Sequence, residues 1–213
     1  MSRRTLFTDN FNRSDNADLG ADWDAGYGAE NPLQILSETA KIVGLGTGSF
    51  ESFNAVALPA DQWAQISLPT FSDATLLQTA DVWLRVPAPP TVTAYTFSAR
   101  RNDTTTSRIL KLVAGVPTSL ITENATTWGD TDILRAEIQG SNLTLYRNDA
   151  LLLTTTDSEI TAGTRAGIYT FSSAAGQAAA LDNFEAGDFT PAAHYNFRRN
   201  ATRPAAFRPG LAR

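Results

Sequence analysis

The feature that most constrains the fold is a strict alternation of apolar and polar residues along short segments that end in turn residues. Segment 133–139 shows it best, with three apolar residues on one face and three polar ones on the other: Leu134, Ala136 and Ile138 against Arg135, Glu137 and Gln139. Gly140-Ser141 then gives a two-residue hairpin signal, and Asn148-Asp149 turns the chain again into 151–155. A period of two predicts strands that are buried on one side.

Similar segments recur along most of the chain, rich in Thr, Val, Ile, Leu and aromatic residues, with turn residues between them. They are 35–43, 63–68, 75–86, 93–101, 108–114, 119–123, 165–172 and 179–186. No segment shows the period of 3.6 and the caps that a helix requires. Many short strands without helices predict an all-β fold, an antiparallel sandwich or barrel.

Composition removes several classes of site. Cysteine is absent from the 213 residues, and His194 is the one histidine. The sequence therefore predicts no disulfide, thiol nucleophile, zinc finger, multi-histidine metal site or cofactor. With 17 Lys and Arg against 22 Asp and Glu, the net charge is −5, so we expect no nucleic-acid partner. The N-terminus lacks the apolar stretch of a signal peptide. The sequence also contains no run of about 18 apolar residues, so we expect no membrane span.

Charge divides the chain near Thr190, because Asp188 is the last acidic residue and the segment after it is basic and contains prolines. We predict a folded domain over 1–189 and an extended basic arm over 190–213. The arm repeats a Phe-Arg pair, as a docking arm would whose rings fill pockets while its arginines pair with carboxylates. Its predicted partner-binding residues are Phe197, Arg198, Arg199, Arg203, Phe207, Arg208 and Arg213. A disordered tail, or an arm that wraps its own acidic body, are the alternatives.

The opening segment 7–14, FTDNFNRS, leads into 19–23, LGADW, and the second half carries 134–140, LRAEIQG, and 181–184, LDNF. These segments resemble concanavalin A-like (laminin G-like) lectin and glucanase jelly-roll domains, of the kind found in phage virion and bacterial surface proteins. The resemblance covers roughly 5–189. It implies an antiparallel jelly-roll β-sandwich whose first and last strands pair, with Phe7 and Phe184 as core neighbours.

Glucanases of this superfamily carry paired carboxylates that alternate along one strand. No Glu-x-Asp-x-Glu pattern occurs here, and the close pairs Asp157/Glu159 and Asp130/Asp132 stand in turn-like contexts. His194, the one conventional base, lies at the start of the arm, so the sequence predicts no enzyme and no catalytic residue.

A calcium site is a second chemistry to weigh, with Asp9 and Asp182 as its weak candidate ligands. Asp182 has the strand parity of Phe184, which predicts that it points inward or sits at the sheet margin. Carboxylates satisfied by backbone N–H groups and by the Arg13 loop are favoured over metal ligands, so no metal is predicted.

Sugar binding is the stronger alternative chemistry, since lectin-like sheets stack aromatic rings on sugars and fix the hydroxyls with polar groups. The candidates are Trp63 beside Gln65 and Ser67, Trp83 beside Asp81 and Arg85, and Tyr146 beside Thr144. Packing in the core or under loops is the competing interpretation for each ring.

The favoured interpretation is a non-enzymatic structural virion protein, a phage capsid decoration (cement) or head-surface protein assembled in the host cytoplasm. Its partners would be capsid or other virion subunits and further copies of itself, held through the arm, with neither nucleic acid nor membrane. The alternative is a soluble carbohydrate-binding, lectin-like module with a glycan partner.

Overall fold

The computed structural model describes residues 1–25, 32–42, 48–71, 76–90, 92–103, 105–173 and 179–190. Within these ranges the chain is all-β: every strand pairing is antiparallel and no helix is present. None of the described residues therefore forms a helix of the length and apolarity needed to cross a membrane.

The fifteen strands of the described ranges follow in chain order. They are β1 (Ser2–Asp9), β2 (Trp23–Ala25), β3 (Gln34–Leu36), β4 (Thr39–Lys41), β5 (Gly48–Phe53), β6 (Gln62–Thr70), β7 (Gln78–Val86), β8 (Ala94–Arg101), β9 (Ser107–Val113), β10 (Val116–Glu123), β11 (Asp132–Gln139), β12 (Asn142–Arg147), β13 (Ala150–Thr156), β14 (Arg165–Ser172) and β15 (Ala180–Thr190).

The strands form two sheets that pack face to face as a jelly-roll sandwich. The eight-stranded sheet runs β13-β12-β11-β6-β15-β4-β3, with β1 also paired to β15. The seven-stranded sheet runs β10-β9-β8-β7-β14-β5-β2. The predicted all-β antiparallel jelly-roll fold is thus confirmed.

The inner faces of both sheets build one main apolar core. Alternation supplies it as predicted: Leu134, Ala136 and Ile138 of β11 are fully buried. The pairing of first and last strands is also confirmed, because β1 runs antiparallel to β15 from Ser2 opposite Thr190 to Asp9 opposite Phe184. Burial of a side chain as large as Leu134 or Ile138 stabilises a sandwich by about 1.5–3 kcal/mol.

Two-residue turns with positive φ connect several of these strands. Asn148 and Asp149 have φ of 50° and 65°, as the two central residues of a type I′ turn require, so the predicted turn between β12 and β13 is confirmed. Gly140 and Ser141 link β11 to β12, again as predicted. Ala114 and Gly115, at φ 51° and 81°, turn β9 into β10 although Ala114 was expected to end a strand.

The predicted strand 35–43 is wrong in its continuity. Ser37 and Glu38 adopt φ of 51° and 60° and split it into β3 and β4. Neither residue type signals such a turn. The turn is held from outside, because the Ser37 backbone N–H donates to the carboxylate of Asp15 at 2.8 Å. Asp15 and Ser37 are 22 residues apart, so the local pattern of the sequence does not reveal this contact.

Candidate functional site

The candidate site lies on the outer face of the seven-stranded sheet, the face turned away from the other sheet. Along β7, Ala80, Val82 and Leu84 enter the main core. Alternation then sends Asp81 and Trp83 to the outer face. The sequence placed these two residues on one polar face, and the structure confirms that they share it.

Strand register assembles three rows of side chains across this face. The first row joins Tyr169, Asp81, Ser98 and Arg108 on β14, β7, β8 and β9. The second joins Trp83, Thr96 and Leu110. The third joins Ala94, Leu112 and Pro117, the last on β10. Only β14 comes from far along the chain, but the register that aligns the side chains of neighbouring strands is not given by their spacing in sequence.

These rows enclose a groove of about 290 Å³. Its polar end is formed by Asp81 and Arg108 of the first row, and its apolar end by Leu112 and Pro117 of the third, with Val92 beside them. We call it the β7–β9 groove. Its volume lies at the small end of ligand sites in proteins.

An aromatic stack forms one wall of the groove. Trp83 packs on Phe50 with ring centroids 4.1 Å apart and on Tyr169 at 6.0 Å. Gly167, opposite Trp83 in the ladder, makes room for the stack, because a Cβ there would collide with the Phe50 ring. Trp83 lines the groove but is only 4% exposed, so it offers no open ring face to solvent.

Three polar atoms of the groove walls are buried without a hydrogen-bond partner among the described residues: Asp81 Oδ1, Trp83 Nε1 and Thr96 Oγ1. The other three indoles of the chain all donate, Trp23 to Asp9, Trp63 to the Asp188 carbonyl and Trp128 to Ser107. A buried polar group that lacks a partner costs about 1–3 kcal/mol. Three such groups on adjacent strands of one groove indicate a site that a polar ligand completes.

Burial raises the pKa of Asp81 from its ordinary value of 3.8 to about 6. The positive charge of Arg108 opposes this rise most strongly. Ser98 and the Trp83 N–H also lie close enough to lower the pKa, although the indole does not reach the carboxylate with hydrogen-bond geometry. A carboxyl with so few fixed partners is free to accept hydrogen bonds from a ligand.

Two arginines flank the polar end of the groove. Arg100 is ion-paired with Asp103, and its pKa is lowered by desolvation and by the nearby charge of Arg108. Arg108 makes a long contact of 3.4 Å from Nε to the Ser98 hydroxyl. Its guanidinium has no carboxylate within 4.0 Å among the described residues, so it can donate to a ligand oxygen.

The predicted sugar-binding residues Trp63 and Tyr146 lie on the opposite side of the sandwich, on the outer face of the eight-stranded sheet. The guanidinium of Arg3 covers the Trp63 ring at 5.2 Å, and that of Arg135 covers Tyr146 at 4.0 Å. Arg135 is fixed in turn by Glu137 at 2.9 Å. Both rings therefore already have cation partners within the chain.

Arg85 does not share the face of Trp83, and that part of the sequence interpretation is wrong. Its φ of 54° breaks the alternation of β7. The side chain is 3% exposed, and its guanidinium donates to the carbonyls of Ala60, Gly140 and Ile160 at 2.6–2.9 Å. Arg85 is a structural clamp that ties together three loops at one end of the sandwich.

The weak metal candidates are held by the protein itself. Asp9 accepts hydrogen bonds from the Phe11 N–H, the Trp23 indole and the Arg13 guanidinium, which hold its pKa below the ordinary range against the effect of burial. Asp182 is partly buried and accepts a hydrogen bond from the backbone N–H of Asn183. A bulge at Asn183, with φ of 48°, interrupts the alternation, so Asp182 does not share the inward face of Phe184. No group of three potential metal ligands occurs among the described residues.

The turn carboxylates lie outside the β7–β9 groove. Asp157 and Glu159 both bind Lys111, at 2.9 and 2.5 Å. Asp132 binds Arg147 at 2.8 Å, and Asp130 accepts the Phe71 N–H at 2.5 Å. Of the described residues that line the groove, Asp81 alone carries a carboxyl.

Other predictions fall on residues that the structure does not describe. All seven partner-binding residues of the arm lie in 191–213, outside the described ranges. The boundary at 189/190 stays a prediction, with β15 extending to Thr190.

Comparison with solved structures finds the same sandwich in proteins of very different sequence. A carbohydrate-binding module, CBM66, from Bacillus subtilis has a TM-score of 0.61 at 13% identity, over 80% of this chain and 98% of that one. A Bacillus subtilis protein of unknown function with a galectin-like fold reaches 0.57 at 9% identity, over 88% and 98%. LamA from Zobellia galactanivorans, solved with laminaritriose and laminaritetraose, reaches 0.51 at 10% identity, over 85% and 96%.

At these identities the likeness shows the fold alone, a galectin-like jelly-roll sandwich. No family model matches the chain, and the search of the curated proteins found no match. The implied sandwich is therefore confirmed, and its phage context stays a prediction.

Proposed function

We propose that this chain is a carbohydrate-binding module whose sugar site is the β7–β9 groove. The observation that carries the proposal is the set of three buried polar atoms without partners, Asp81 Oδ1, Trp83 Nε1 and Thr96 Oγ1. They offer an acceptor, a donor and a hydroxyl that can do either. Neighbouring sugar hydroxyls both donate and accept, so a sugar ring would satisfy all three.

The remaining walls fit the same ligand. Arg108 offers further donors at the polar end, while Tyr169 and Leu110 give an apolar surface for the C–H groups of a sugar. The carbohydrate-binding module with the same fold supports this choice. We thus adopt the alternative derived from the sequence, a lectin-like module. Of the three aromatic residues proposed there for sugar binding, Trp83 is the one that lines the groove.

The proposed groove binds a sugar and does not cleave it. Glycoside hydrolysis by the usual mechanisms requires two carboxylates about 5–10 Å apart across the bond. The described lining of the groove supplies Asp81 as its one carboxyl. Proteins with this fold include a transglycosylase. Whether this chain cleaves sugars is therefore measured directly in the experiment below.

The experiment screens the full-length chain against a panel of polysaccharides and oligosaccharides, and compares Thr96→Val and Asp81→Asn with the parent by calorimetric titration. Removing the Thr96 hydroxyl should weaken binding about tenfold or more, since a ligand hydroxyl loses its partner. Asp81→Asn should cost at least as much, because hydrogen bonds to a carboxylate are the stronger kind.

Thr144→Val is the matched control, since Thr144 lies on the outer face of the eight-stranded sheet beside Tyr146. It should bind as the parent does. Loss of binding in Thr144→Val with full binding in the two groove variants would refute the proposed site. Sugar release from any polysaccharide on the panel, abolished by Asp81→Asn, would make the chain an enzyme instead.

A virion role stays a separate proposal, supported by the segregation of five arginines and no acid into 190–213. The two roles are compatible, because the arm and the β7–β9 groove belong to different parts of the chain.

A further inference from the structure

One end of the β7–β9 groove is built from apolar groups. Leu110 and Leu112 of β9 line it together with Val92 and Pro117. Val92 and Leu112 also pack against the cluster that contains Trp83, Val86 and Ala94. Of the described residues that line this end, none presents a polar side chain.

The backbone at this end is already hydrogen-bonded. The Gly115 N–H donates to the Val92 carbonyl at 2.7 Å, and the Ala114 N–H donates to the Thr93 hydroxyl at 3.1 Å. These two bonds tie the β9–β10 turn to the chain that enters β8. They use donors that a sugar hydroxyl would otherwise find there.

The polar and apolar ends are separated by a defined distance along one strand. Arg108 and Leu112 are four residues apart on β9, or about 13 Å at the rise of a strand. The unpartnered atoms of Asp81, Trp83 and Thr96 all belong to the first two rows. A sugar that bonds to these atoms and extends along the groove places another part of itself against Leu110, Leu112 and Val92.

A hydroxyl in that position would lose water and gain no partner, whereas a methyl group would gain apolar contact. We propose that the β7–β9 groove selects a sugar that carries a methyl group, which packs against Leu110, Leu112 and Val92. The methyl group can belong to a deoxy sugar, where it replaces the terminal hydroxymethyl, or to an N-acetyl function. This inference rests on the proposed function and names the class of sugar that the site takes.

The experiment measures the affinity of the full-length chain for matched sugar pairs by calorimetric titration. D-fucose against D-galactose and L-rhamnose against L-mannose test the deoxy form, and N-acetylglucosamine against glucose tests the N-acetyl form. In at least one pair the methyl-bearing member should bind about tenfold more tightly, because its methyl group gains apolar contact where a hydroxyl would lose water without finding a partner.

Variants locate the preference in the groove. Leu112→Thr puts a hydroxyl into the apolar end and should abolish the preference, and Leu112→Ala, which adds no polar atom, should reduce it. Val113→Thr is the control: it introduces the same side chain one position along, on the other face of β9 where Val113 is 39% exposed. It should leave the preference intact.

The outcomes separate this inference from the function beneath it. If sugars bind, but in every pair the sugar without the methyl group binds as well as its methyl-bearing partner, the inference is wrong and the proposed sugar site stands. A preference that persists unchanged in both Leu112 variants also overturns it. Failure of every sugar on the panel, polysaccharides included, overturns the proposed function and this inference with it.

Discussion

Asp81 is a carboxyl that the fold keeps buried at a cost. Its pKa is raised to about 6 by burial, while the unfolded chain would release the proton near 3.8. The folded state thus binds more protons between these values, and the free energy of unfolding falls as pH rises from about 4 to 6. Above that window the penalty is fully present.

Asp81→Asn should therefore stabilise the protein at pH 7.5 by on the order of 2–3 kcal/mol, at 1.36 kcal/mol per pKa unit. The gain should vanish below about pH 4, where Asp81 is protonated in both states. Glu51, whose pKa burial raises to about 7, titrates in both proteins and cancels from the difference. Urea unfolding at several pH values measures the effect, and equal stability of the two proteins at pH 7.5 would argue against a buried, charged Asp81.

The same residue shows how far sequence reasoning reaches. Alternation along β7 places Asp81 and Trp83 on one polar face, and that was predictable. Thr96 and Arg108 become their neighbours only through the pairing of β7 with β8 and of β8 with β9. The raised pKa and the missing partners follow from that packing, so no spacing in the sequence could report them.

At the scale of the strand, β7 ends on a residue that alternation misplaces. Arg85 has a left-handed φ, and its guanidinium binds the carbonyls of Ala60, Gly140 and Ile160. Hydrogen bonds from charged donors are worth about 1.5–3 kcal/mol each. We expect Arg85→Met to destabilise the protein by at least about 3 kcal/mol in chemical unfolding, with loss of order in all three loops.

Arg108→Met is the matched comparison, because Arg108 lies on the outer face with one long hydrogen bond. Below about pH 4, where Asp81 is uncharged, its free energy of unfolding should change by less than about 1 kcal/mol. Sugar affinity at neutral pH should fall. Equal destabilisation by the two substitutions would mean that Arg85 does not act as a clamp.

The turns of the fold also divide into those that the local sequence predicts and those that depend on distant contacts. The turns at Gly140-Ser141 and Asn148-Asp149 carry their own signals, and the structure has them where expected. The turn at Ser37-Glu38 depends on Asp15, more than twenty residues away, and the pattern shows a continuous strand there. Local chemistry thus predicted the hairpins of the second half better than the short strands of the first.

At the scale of the molecule, we predict that the described core folds without the arm of 190–213. Its most C-terminal members are Phe184 and Ala186 on β15. A chain that ends at Thr190 should therefore keep its Tm within about 2 °C of the parent and bind the same sugars. Circular dichroism and titration measure both, and an unfolded or aggregated product would place the arm within the fold.

The most direct test of the account follows the four indole N–H signals of isotope-labelled protein by NMR as a sugar that binds is added. Three of these groups already donate within the protein, and that of Trp83 has no partner among the described residues. We predict that the Trp83 signal shifts with the sugar concentration while those of Trp23, Trp63 and Trp128 stay in place. A shift of the Trp63 signal with Trp83 unmoved would contradict it, because the sugar would then lie on the eight-stranded sheet.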